Sequence, residues 1–177
     1  AIHHARLIDG TGAVLDRATI VVRGSQIVAT GPSRSITIPK GATRIDGRGL
    51  TVIPGLIDCH VHLCLGSEPD VVAAVESEQP FYTLLKSSKH AQATVEAGFT
   101  TVRDVGSRDH SIFALKQAIE AGVIPGPRIV GAGLAICMIG GHARFIGQEV
   151  QGVEHRIRFR LAQLLGEELE TGGVRHA

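Results

Sequence analysis

Two stretches of this chain repeat one pattern, and the pattern admits few folds. "VEAGFTTVRDVG" (residues 95–106) and "IEAGVIPGPRIVGAG" (119–133) each run from a helix end through Glu-Ala-Gly and an apolar step into a strand closed by glycine. Strand–helix units repeated at this length imply a parallel sheet with crossover connections. In such sheets chemistry gathers at the C-terminal ends of the strands. Strands are expected at about 53–62, 99–106 and 127–133. The spacing predicts one helix over 82–97, with Leu84, Ser88, Ala91 and Val95 on one face and Gly98 after its end. A second, capped by Asp109 or Ser111, runs to about 121 with Ile112, Leu115 and Ile119 inward. The segment between 62 and 82 reads as an acid-rich loop, "ICMIGGHARFIG" (136–147) as a glycine-rich loop, and a last helical stretch begins near 153.

Residues 1–52 have another texture. "HHARLI", "ATIVVRG" and "QIVATG" are β-rich runs broken by "DGTG" and by a loop with two prolines, and no segment carries helical periodicity. The expected organisation is an all-β module over 1–52 followed by an α/β domain over 53–177. Composition narrows the partners. A net charge of +1 and only six aromatic residues in 177 give no basic or stacking surface for nucleic acid. No apolar run approaches the ~20 residues of a membrane span. Three cysteines, an odd number, with no signal-like N-terminus point to a reducing, cytoplasmic setting.

The first strand of the α/β part, "VIPGLIDCHVHL" (52–63), holds the chemistry. Strict alternation puts Ile57, Cys59, Val61 and Leu63 on one face, and Leu56, Asp58, His60 and His62 on the other. Three polar groups at the end of an otherwise apolar strand need partners, and a metal ion supplies one. Two histidines two positions apart have Cα atoms ~6.5 Å apart, so both imidazoles reach one ion. Asp58 either orients an imidazole or bonds a neighbouring strand. Cys59 reads as a small core residue, and the histidines at positions 3 and 4 as surface.

These residues carry a family resemblance. "VIPGLIDCHVHL" resembles the P-G-x-I-D-x-H-x-H signature of the amidohydrolase superfamily, and the β-rich segment before it resembles that superfamily's β-sandwich lead-in. "AGFTTVRDVG" and "IPGPRIVGAG" with "GGHARFIG" are similar to the imidazolonepropionase-like and prolidase-like branch. The resemblance implies a (β/α)8 barrel preceded by a small β-sandwich segment. It also implies one or two divalent ions, most commonly zinc, with His60 and His62 as ligands. The implied reaction is hydrolysis of an amide, cyclic amide or dipeptide by a metal-activated hydroxide. By the same resemblance His142 contacts substrate. Either Arg103 or Asp104, which end the second strand, faces the site, with Asp104 as a supporting group.

The departures matter as much. The family's bridging lysine has no counterpart before "TGGV" (171–174), and Glu167, sought in its place, sits in a polar helical setting. A full barrel takes ~250 residues, about twice the number after residue 53. A partial barrel is therefore expected, with an open edge suited to self-association. Two readings are possible: a metal-dependent hydrolase of C–N bonds represented in part, or a non-catalytic remnant that binds metal weakly or serves a structural role.

Overall fold

β-branched runs near the start of the chain form strands because pleated backbone suits their stiff side chains. In the computed structural model, which describes residues 1–66 and 68–150, these are β1 (Ile2–Ile8), β2 (Val14–Arg23), β3 (Gln26–Pro32), β4 (Ile45–Asp46) and β5 (Thr51–Val52). They lie in one sheet ordered β3-β2-β1-β4, with β5 also on β1. The pairs β1/β2 and β2/β3 are antiparallel, whereas β4 and β5 run parallel to β1. Ala5 and Ala18 face each other fully buried. A Cβ on Gly47 would stand 2.7 Å from that of Ala5, so only glycine lets the chain leave β4 so close to β1. These strands belong to a compact unit spanning Ala1–Gly55.

The second unit begins at Leu56. Its strands β6 (Leu56–Val61), β7 (Phe99–Asp104) and β8 (Arg128–Gly131) make a parallel sheet in that order. The intervening helices are the crossovers that parallel pairing demands. Helix α1 (Val71–Ser77) and helix α2 (Pro80–Glu96) join β6 to β7, and helix α3 (Ser111–Glu120) joins β7 to β8. Proline suits the first turn of α2, where its missing N–H is no loss, and Gly98 at φ +95° turns the chain into β7. Val102 and Ile129, paired across the sheet, pack with Ala91, Ile112 and Leu115 in a core closed by Leu63 and Cys64. Each buried Ile or Leu there contributes about 2 kcal/mol.

Three expectations change. The acid-rich loop contains α1, because the Asp70 carboxylate accepts the Ala73 N–H (3.0 Å) and caps a turn that buries Val75. On α2 Ala91 sits in the core and Leu84 packs against it as expected, but the other buried positions are Thr83 and Ser87 rather than Ser88. The Ser87 hydroxyl donates to the Thr83 carbonyl (2.7 Å), and this back-bond lets it bury without losing its hydrogen bond. The glycine-rich stretch holds two short parallel strands, β9 (Ala135–Met138) and β10 (Gly147–Val150), flanking a single 3-10 turn at Arg144–Ile146. Glycines at 140 and 141 hid that pairing by breaking the alternation. No described helix is long and apolar enough to cross a membrane. The helix expected from 153, Glu167 and "TGGV" lie outside the described residues.

Candidate functional site

Strict alternation fails in β6, and the failure shapes the site. Asp58 pairs with Val102 and Val61 with Asp104, so three steps of β6 match two of β7. That bulge puts Asp58 and Val61 on the same, helix-covered face, where Val61 packs on the core. His60 and His62 flank Val61 and fall on the opposite face. The single polar face expected of Asp58, His60 and His62 is therefore split. The Asp58 carboxylate takes neither expected role: it accepts the His60 backbone N–H at 2.9 Å and stabilises the bulge itself.

The face that carries the histidines is open. Ile57 is 65% exposed and Val130 48%, while Arg103 and Arg128 also face outward there. Cys59 is exposed too, a correction to its expected core position, since the bulge removes it from the covered side. The other two cysteines are buried, and burial pushes the Cys64 thiol up from its ordinary value.

His60 and His62 stand with ring centroids 5.4 Å apart and planes at 76°. His62 Nδ1 lies 2.7 Å from the Gly106 carbonyl oxygen. A carbonyl only accepts, so Nδ1 carries the proton and the Nε2 lone pair of the neutral ring is left for another partner. This is the arrangement that sets an imidazole for metal binding. The exposed His60 ring makes no hydrogen bond among the described residues. Two imidazoles on one face are donors of the right kind for a zinc-class ion, though fewer than the three protein ligands usual in catalysis.

Asp104 builds the backbone around this pair. Fully buried at the end of β7, its carboxylate accepts the Leu63 N–H (2.8 Å), the Gly106 N–H (3.2 Å) and the Ser107 hydroxyl (3.0 Å). Burial raises its pKa above the ordinary value, and the hydrogen bonds from Leu63, Ser107 and Gly106 work against that rise. It thus grips the residue after His62 and the residue whose carbonyl holds His62. Arg103, its neighbour, points to the open face. His142 is exposed in the turn between β9 and the 3-10 turn, and no described side chain bonds it.

Sequence reasoning missed His90. From α2 its Nδ1 donates to the Leu63 carbonyl at 2.9 Å, so both backbone polar groups of Leu63 are held by side chains. The available signal was a histidine one position before Ala91, on a helix that must pack against this strand. Lys86, also on α2, is committed to Glu68 (2.8 Å) and Glu78 (2.6 Å) and is not free to act as a bridging ligand.

The family model for the amidohydrolase family matches residues 51–170. Ochratoxinase of Aspergillus niger is 29% identical over 147 residues, which are 80% of this chain and 29% of that protein. Imidazolonepropionase of Pseudomonas savastanoi pv. phaseolicola is 38% identical over 64 residues, 36% of this chain and 16% of its own length. The crystal structure of a prolidase complexed with N-methylphosphonate-L-proline superposes with a TM-score of 0.77 at 31% identity, covering 94% of this chain and 44% of that one. This chain therefore spans less than half the length of each of these proteins. With the family's motif at the end of β6 and its model matched over most of the chain, this protein belongs to the amidohydrolase family.

Proposed function

We propose that this chain carries the β-sandwich lead-in and the first strands of a (β/α)8-barrel hydrolase that cleaves C–N bonds in amide or dipeptide substrates. The observation that carries the reading is the His62 imidazole, protonated on Nδ1 by its bond to Gly106 and presenting Nε2 beside His60. Membership of the amidohydrolase family supports a divalent metal and hydrolysis at an amide-type bond, and one structural neighbour is a prolidase. His60 and His62 would hold the ion, zinc being the first choice for imidazole donors. When bound, such an ion supplies Lewis acidity toward a scissile carbonyl and activates water.

The chain's own residues do the positioning. Asp104 and His90 fix Leu63 from both sides, and Gly106 fixes the tautomer of His62. The open face of β6-β7-β8 becomes the barrel interior, so Arg103 joins the histidines there. His142, exposed after the third strand of the barrel, is assigned to substrate contact. The remaining metal donors lie outside the described residues. The free cysteines suit a cytoplasmic protein. The open edge of a partial barrel also suits self-association, which sizing by light scattering would detect.

The test is metal-dependent turnover of Xaa-Pro dipeptides and N-acyl amino acids by the native polypeptide as its source makes it. The reading expects activity restored by Zn²⁺ or Mn²⁺ after chelation and abolished in His60→Ala and His62→Ala. Turnover that survives both substitutions would overturn it.

A further inference from the structure

The adjacent histidines of β1, expected at the surface, are half-buried and face each other. Strand alternation should send them to opposite sides. Instead His4 adopts φ +62°, and the register on β2 moves from His3↔Thr19 to Ala5↔Ala18, so His4 is the extra residue of a bulge. That left-handed turn brings His3 Nδ1 and His4 Nδ1 to 3.1 Å, with the rings edge to face at 4.5 Å. The β1/β4 pairing sets Asp46 opposite His3. One ligating atom from each of the three lies within 4.8 Å of the others.

We propose that His3, His4 and Asp46 form a zinc-class metal site on the N-terminal sheet, separate from the His60–His62 pair. Two nitrogens bound to a tetrahedral ion at ordinary Zn–N lengths are about 3.3 Å apart, close to the separation found. A hydrogen bond between the rings would account for that distance but not for the carboxylate beside them. Arg48 orients the Asp46 carboxylate through its Nε at 2.7 Å and its backbone N–H at 3.1 Å, as an outer partner does for a ligating group. The groove beside His4, about 500 Å³, is lined by Arg17, Ser33 and Arg34. Three nearby guanidiniums, those of Arg17, Arg34 and Arg48, disfavour a weakly held cation, so the site selects ions that bond strongly to imidazole over Ca²⁺ or Mg²⁺.

The experiment uses the full chain carrying His60→Ala and His62→Ala, which removes the other pair. Calorimetric titration with Zn²⁺ should give one ion per chain, and Co²⁺ should give visible bands of tetrahedral coordination. Adding His3→Ala or Asp46→Asn should weaken binding by more than about tenfold with the far-ultraviolet circular dichroism unchanged. A second measurement needs no variant. Long-range ¹H–¹⁵N spectra of the unsubstituted, histidine-labelled chain should show the His3 and His4 ring nitrogens shifting as Zn²⁺ is added. Unmoved resonances at excess Zn²⁺, or one ion bound as tightly after Asp46→Asn and His3→Ala, would overturn the proposal. A shared-proton signal between the rings that persists in Zn²⁺ would do so as well.

Discussion

The two histidine pairs reach similar separations by opposite routes. His60 and His62 are two positions apart, as strand pleating requires for one face, and a bulge between Asp58 and Val61 decides which face that is. His3 and His4 are adjacent, as pleating forbids, and a bulge at His4 itself overrides the rule. The supports differ too. A backbone carbonyl holds His62, and a buried carboxylate holds the loop that bears it, whereas His3 and His4 hold each other at the edge of a groove. Motif spacing therefore finds the first kind of pair and overlooks the second, because the second depends on one backbone torsion.

Substitutions can pull this contrast apart. Removing a donor has the largest effect: His62→Ala should lower Zn²⁺ affinity at that pair by more than about 100-fold, read by competition with a chromophoric chelator, and leave ion binding at His3 and His4 intact. Asp104→Ala strands three buried donors and should destabilise the second unit by about 3 kcal/mol, measured by urea unfolding. A loss below about 1 kcal/mol would show that its hydrogen bonds do not organise the loop. His4→Gly separates strain from binding, since glycine accepts φ +62° freely. Made in the chain that also carries His60→Ala and His62→Ala, it should add about 0.5 kcal/mol to the metal-free protein, while Zn²⁺ no longer raises its melting temperature.

The two carboxylates give a smaller contrast, in sign. The Arg48 side chain bonds Asp46 and brings its pKa down from 3.8 to about 2. The folded form then favours the ionised group, and that support is present above pH 3.8 and lost as pH falls through about 2. Arg48→Met should return the Asp46 carboxyl titration, followed by carbon NMR, toward 3.8. Asp104 runs the other way. Burial raises its pKa, so the folded chain holds that proton more tightly, and the group's contribution to stability falls as pH rises from 3.8 through the folded value.

Much of the second unit was legible because its periodicities are long. Ile112, Leu115 and Ile119 mark α3 at helical spacing, and Gly98 marks the turn into β7 where φ must be positive. The H-x-H motif identified the histidines but not their setting, since a one-residue bulge leaves no trace in alternation and reverses the facing of each later residue in the strand. That is why Cys59 was expected in the core and Asp58 beside the imidazoles. His90 escaped because its partner, the Leu63 carbonyl, is a backbone atom with no residue signature. Helix α1 escaped because two short turns of Val and Ala beside acidic residues read equally well as loop.

The bond from His62 to Gly106 spans 44 residues of chain. The imidazole cannot take its tautomer until β7 has laid itself against β6, and that closure is among the slower, costlier steps of assembly. An ion arriving earlier meets a histidine whose proton is on neither nitrogen in particular. In a zinc finger the metal organises the chain; at the site proposed here the order would be inverted. The free Nε2 of His62 is a product of folding, so an ion bound there would meet it only after the long-range contact has been made.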